Sequence, residues 1–288
     1  MVEISGTETN KLATNIVRPI LVELDGGMGC IEPSRCHTTR YGAMAGSGVL
    51  VELAEATPAF VLSPQHIIVA WSGVLVLAYA PFPDAALGLK ERLSDAVPGL
   101  PRESPGSSWP KTTLAALADD ATLSEAQLEA LTEAGAAAAE ALAELKLEVT
   151  ELAAVTYGNR ALAPEARLAS LRMPLGRGEA ADGTDAMMVC SDEAHAAHVA
   201  SVVAEATAPA AEYLDNASRA GNRASHYTGS AVGATLVADV AAMGPPDAVS
   251  VLLAIIDAFR DEVNAAMPDA YTWMPTEALH VTLRGLAP

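Results

Sequence analysis

Apolar positions along this chain follow two spacings, and each predicts its own kind of element. Short runs that alternate, or are apolar throughout, between glycines and prolines read as strands; apolar positions every three or four residues read as helices. Ile16–Leu24 reads as a strand ending at the turn Asp25-Gly26-Gly27, and Gly48–Leu53 reads as another after a glycine-rich stretch. His66–Trp71 and Val74–Ala80 form a buried hairpin split at Ser72-Gly73. Asp84–Ala96 predicts a helix whose apolar side carries Leu87, Leu89 and Leu93, and extended structure resumes at Lys111–Leu114.

The longest helix is expected from Ser124 to about Leu145, where Ser124 and Gln127 stand at capping-box spacing. Lys146–Thr156 alternates as a strand, and Gly176–Gly183 reads as an exposed loop. Helical spacing returns over Glu193–Leu214, interrupted near Pro209. A strand at Ala234–Val240, a turn at Gly244-Pro245-Pro246, a helix over Asp247–Met267 capped by Asp247 and a closing strand carrying His280 complete the order.

One segment, Ala59–Pro83, lacks Asp, Glu, Lys and Arg, which raises the question of a membrane span. Its unbroken apolar run, Ile67–Ala80, falls short of the roughly 20 residues a span requires, so a buried hairpin is the expectation and no membrane association is predicted. The 288 residues, 51% of them hydrophobic, suffice for a real core. With 36 acids against 17 bases the net charge is −19, which argues against a surface that tracks long nucleic acid, because phosphate neutralisation needs Lys and Arg in excess. A small anionic ligand in a local pocket is compatible with that balance. Cys30, Cys36 and Cys190 make no disulfide framework, and the polar start is unlike a secretory leader, so a reducing intracellular compartment such as the cytoplasm is expected.

The closing strand Leu279-His280-Val281-Thr282-Leu283-Arg284 carries the sharpest chemical signal. Side chains at i and i+2 share a face, so His280 and Thr282 point together, Arg284 is expected to continue that face, and Val281 and Leu283 pack behind. The region leading to it runs strand, Pro-rich turn, helix, Trp273, strand. An earlier region repeats that order: Val74–Ala80, Pro81-Phe82-Pro83, Asp84–Ala96, Trp109, then Lys111-Thr112-Thr113-Leu114. Thr113-Leu114 stands where Thr282-Leu283 stands, and Lys111 stands where the second copy has His280. Two such units predict an α/β or α+β fold, with two pseudo-symmetric β-α-β lobes and a mixed or antiparallel sheet around a central cleft. Residues 66–288 would form this unit, with 1–65 as an N-terminal extension packed on it.

The paired units and the Leu-His-Val-Thr-Leu strand resemble the two-histidine phosphoesterase superfamily, which includes 2′,5′ RNA ligase-like proteins and cyclic nucleotide phosphodiesterases. The resemblance covers at most 66–120 and 230–288 with the linking helix and strand at 122–156. It implies metal-independent acid–base catalysis on a small cyclic or 2′,5′-linked phosphodiester, without a cofactor. His280 would be acid or base, Thr282 and Thr113 would contact phosphate, Arg284 would add a charged contact, and Lys111 would replace the other histidine. An unperturbed lysine is protonated at neutral pH and serves as a donor or electrostatic anchor rather than a base. A phosphate-ligand-binding or protein-interaction module that kept the cleft is therefore the alternative.

Other constellations compete. His37-Thr38-Thr39 and His226-Tyr227-Thr228 repeat the His-x-Thr spacing and either could supply a partner for His280, although both sit beside glycines and read as loops. Asp192, His195 and His198 fall at helical spacing after Cys190 and define a third reading, a metal-dependent enzyme. Cys30, Cys36 and His37 match no common zinc spacing. Phosphate-loop, nucleophile-elbow and dinucleotide fingerprints are missing from the sequence.

Overall fold

In the computed structural model, residues 48–176 and 186–287 are described. They contain seven α-helices and ten strands in three antiparallel sheets, none of them closed. The expected strand at Ile16–Leu24, the triplet at His37, Cys30 and Cys36, and all but the first residue of the expected Gly176–Gly183 loop lie outside the described residues.

The first described element corrects the sequence reading. Residues 48–55 form a helix, α1, and not a strand. Val49 and Val51 suggest a strand, but Leu50 and Ala54, four residues apart, are the positions that become buried, which is the spacing of one helix face. Thr57 closes the end by donating its hydroxyl to the Leu53 carbonyl at 2.6 Å.

A short ladder joins β1 (Phe60–Leu62) to β5 (Leu147–Val149). The second sheet runs β2 (Pro64–Val69), β3 (Leu75–Tyr79), β4 (Lys111–Leu117) and β9 (Tyr271–Trp273). The third runs β10 (His280–Ala287), β8 (Gly233–Asp239), β6 (Glu151–Tyr157) and β7 (Arg167–Pro174). β3 and β8 lie inside their sheets and are buried at every position, so neither shows the alternation of a half-exposed strand. The β2–β3 hairpin closes as expected at Ser72 and Gly73, both at positive φ (66° and 75°), the turn conformation that fits the right-handed twist of paired strands.

The helices are α2 (Asp84–Ala96), α3 (Glu125–Ala143), α4 (Glu193–Ala206), α5 (Ala210–Ser218), α6 (Ala224–Thr228) and α7 (Pro246–Ala266). The Ser124–Gln127 capping box of α3 is formed in both directions. α7 begins differently from the sequence reading: Pro245 takes the cap position without a side-chain hydrogen bond, Pro246 starts the helix, and Asp247 falls in the first turn. Val249, Leu252, Ile256, Phe259 and Val263 give α7 its buried stripe, and α3 packs against α7, α5 and strand β2. No helix of the described residues is long and apolar enough to cross a membrane.

The pairing of β4 with β3 and of β10 with β8 follows one pattern. Lys111, Thr112 and Thr113 lie opposite Ala78, Leu77 and Val76; Leu114 is then skipped and Ala115 lies opposite Leu75. His280, Val281 and Thr282 lie opposite Asp239, Ala238 and Val237; Leu283 is skipped and Arg284 lies opposite Leu236. Each strand thus bulges one residue after its threonine, and a bulge reverses the side-chain phase beyond it.

α3 comes close to the sheet at Gly135, where an added Cβ would stand 2.1 Å from the Ile67 carbonyl oxygen of β2. Gly→Ala inside a helix ordinarily gains about 0.5–1 kcal/mol, whereas overpacking a fixed interface costs about 1–3 kcal/mol. The clash therefore wins. Gly135→Ala is expected to lower the urea midpoint without changing the slope of unfolding free energy against urea, as read by far-UV circular dichroism.

Candidate functional site

A cavity of about 490 Å³ lies where β4 and β10 adjoin, and Lys111, Thr113, His280 and Thr282 all line it. Further walls come from Tyr157 at the end of β6, Arg160, Ala161 and Leu162 after it, Asn222, His226 and Tyr227 at α6, Ala234 and Thr235 of β8, and the loop Pro101–Gly106. Met274 and Ala278 also line it, and Gly285 and Ala287 continue the β10 wall. The lining includes Arg102, Lys111 and Arg160 but no aspartate or glutamate, in a chain whose net charge is −19.

His280 is held in one tautomer. Its Nδ1 lies 2.6 Å from the Ala278 carbonyl oxygen, which can only accept, so Nδ1 carries hydrogen and Nε2 of the neutral ring keeps its lone pair. Burial pushes the His280 pKa below its ordinary value, while the Ala278 carbonyl and the charge of Asp239 oppose that shift. Asp239, opposite His280 in the ladder, is itself buried and receives a two-pronged contact from Arg167 at 2.6 and 3.0 Å.

Lys111 is half-buried, its ammonium donating to the Gly106 carbonyl and lying 4.3 Å from the centre of the Trp109 ring. Burial, with a smaller contribution from Lys90, pushes its pKa down to about 7. Lys90 is buried between Glu103 at 2.6 Å and the Ser107 carbonyl at 2.8 Å, with its ammonium over the Phe82 ring. Arg284 does not line the cavity, which corrects the expected face: the bulge after Thr282 moves Gly285 and Ala287 onto the wall and buries Arg284. Its Nη2 donates to the Pro101 carbonyl at 2.7 Å. Three cations thereby hold the loop that forms one wall, each through a main-chain carbonyl.

His226 belongs to α6, not to a loop, and it lines the cavity with His280. Its ring meets Tyr227 edge-on at 5.1 Å, and burial, then Arg160, lowers its pKa. Of the two spare His-x-Thr triplets this is the one among the described residues. Arg102, Arg160 and Tyr157 carried no recognisable spacing in the sequence, since loops from distant segments bring them to the cavity.

The metal reading built on Asp192, His195 and His198 is corrected by hydrogen bonding. Asp192 caps α4 by accepting from the His195 backbone N–H at 2.9 Å. His195 Nε2 accepts the Phe82 backbone N–H at 3.0 Å and its ring stacks on Phe82, so that lone pair is committed to the fold. His198 is exposed, and among the described residues no group of three or more His, Cys, Asp or Glu could hold a metal.

Two outcomes test these electrostatics. The unfolded chain keeps Lys111 protonated to a higher pH than the native state, so above about pH 7 the unfolded state binds more protons and stability rises with pH through the alkaline range. Wild type should gain stability relative to Lys111→Met between pH 7 and 10 in denaturant titrations, and the difference should flatten below pH 7. Asp239→Asn removes a charge that raises the His280 pKa and leaves Arg167, which lowers it, so the His280 imidazole should titrate at a lower pH by proton NMR. Compared with known proteins, the chain matches no family model, no curated protein and no solved structure at a significant level.

Proposed function

We propose that this cavity binds a small phosphorylated or nucleotide ligand and acts on a cyclic or 2′,5′-linked phosphodiester by metal-independent acid–base catalysis. The observation that carries this reading is the lining itself: cations, histidines and hydroxyls face one cavity free of carboxylates, on a protein that is otherwise strongly acidic. Such a pocket focuses positive potential on an anion while the remaining surface repels polyanions. The reading includes two pseudo-symmetric β-α-β lobes about a central cleft, β3–α2–β4 and β8–α7–β10. The matched registers and matched bulges of Lys111-x-Thr113 and His280-x-Thr282 support it. This is the arrangement that the resemblance to two-histidine phosphoesterases implies, with Lys111 in place of one histidine.

In this reading, His280 Nε2 takes the proton from water or a ribose hydroxyl. Thr282 and Thr113 donate hydroxyls to non-bridging phosphate oxygens, and Lys111, Arg102 and Arg160 offset the charge that grows on them. Arg284 acts from behind the wall by holding Pro101. A non-catalytic phosphate-binding module is the second reading, favoured by the commitment of the Lys111 ammonium to the Gly106 carbonyl.

Purified protein incubated with 2′,3′-cyclic nucleotides in excess chelator should release a nucleoside monophosphate. His280→Ala should slow turnover by roughly 10²–10⁴-fold, the usual contribution of a general acid or base. Turnover that requires added metal, or that survives His280→Ala, would overturn the catalytic assignment. Saturable binding of the nucleotides without turnover would select the binding module instead.

A further inference from the structure

We propose that His226 is the second proton-handling group of this cavity, the general acid that works opposite His280. The inference rests on the phosphodiester reading above and deepens it. Lys111 holds the position of a second strand histidine, but its ammonium is tied to the Gly106 carbonyl and to the Trp109 face. Burial makes that ammonium more acidic than an ordinary lysine, but the carbonyl and the ring fix where it points, so it serves as a charge held in place.

His226 is in the opposite situation. Its backbone is fixed on both sides: the Ser225 N–H donates to Asp119 Oδ1 at 3.0 Å, and the Tyr227 carbonyl accepts the Ala161 N–H at 3.0 Å. Those anchors are all main-chain on the α6 side, so among the described residues the imidazole is left uncommitted on the cavity wall. The helix packs against β4, the strand that carries one phosphate-contacting hydroxyl. The groups beside the His226 ring are Tyr227, edge-on to it, and Arg160, whose charge it feels, with Asp119 at the start of α6. Burial and Arg160 favour the neutral ring; a bound phosphate anion reverses that balance and restores the proton.

Water oxygen forms a bond to phosphorus and its proton passes to His280 Nε2. The bond from phosphorus to the leaving ribose oxygen breaks, and the electron pair on that oxygen takes the proton of the His226 imidazolium. The products are a phosphomonoester and a free hydroxyl, and the two imidazoles return to their starting states by proton exchange with solvent.

Proton NMR titration of the wild-type imidazoles, with and without adenosine 3′-monophosphate, tests the placement without requiring turnover. The nucleotide is expected to raise the pKa of both His226 and His280. A shift at His280 alone overturns the role of His226 and leaves the phosphate cavity intact, while a shift at neither overturns both. Kinetics of His226→Asn test the role itself. Turnover of a 2′,3′-cyclic nucleotide should fall by roughly 10²-fold or more, and turnover of a p-nitrophenyl phosphodiester, whose leaving group departs without a proton, should stay near the wild-type rate. Equal loss on both substrates, or no loss on either, would overturn the assignment.

Discussion

A strand shows alternate residues to each side, and the cavity of this protein depends on where that alternation is broken. β4 and β10 must each set a cation or histidine and a threonine on the cavity face while burying the leucine that follows. The bulge after Thr113 and after Thr282 lets two consecutive residues turn inward, so Leu114-Ala115 and Leu283-Arg284 are buried pairs. Without that extra residue Arg284 would share the wall with His280 and Thr282. With it, Gly285 takes the place on the wall, and the guanidinium goes behind to brace the loop at Pro101.

The second constraint is electrostatic. Lys90, Lys111 and Arg284 approach one another closely enough that like charge lowers the pKa of both lysines, after the larger effect of burial. The cost is offset mainly by carbonyl oxygens of the 101–107 loop and by Glu103. Anchoring by carbonyls neutralises no charge, so the positive potential persists at the cavity. On the histidine side a nearby carboxylate, the buried Asp239, pairs with Arg167 and is not among the lining residues, and its charge raises the His280 pKa.

Much of the fold was legible in the chain because its elements are set by local physics. The Ser124 capping box, the Ser72-Gly73 turn and the bounds of α2 follow from short-range hydrogen bonding and apolar spacing, and the structure repeats them. β1, β7 and β9 were not legible: two have three residues each, and β7 alternates weakly beside a glycine-rich stretch. The α1 segment misled because valines favour a strand locally, while the burial of Leu50 and Ala54, which decides the matter, is a property of the packed core.

For the site, the sequence by itself determined the two strand motifs, their order behind a turn and a helix, and the lysine in the place of a histidine. Periodicity and repetition record these directly. Only the tertiary structure decided that Lys111, Thr113, His280 and Thr282 line one cavity, that Arg284 leaves their face, that His195 gives its lone pair to Phe82, and that His226 comes in from α6. Each of those depends on which distant backbone atoms meet a side chain, and ladder register and loop closure settle that only once the chain has folded.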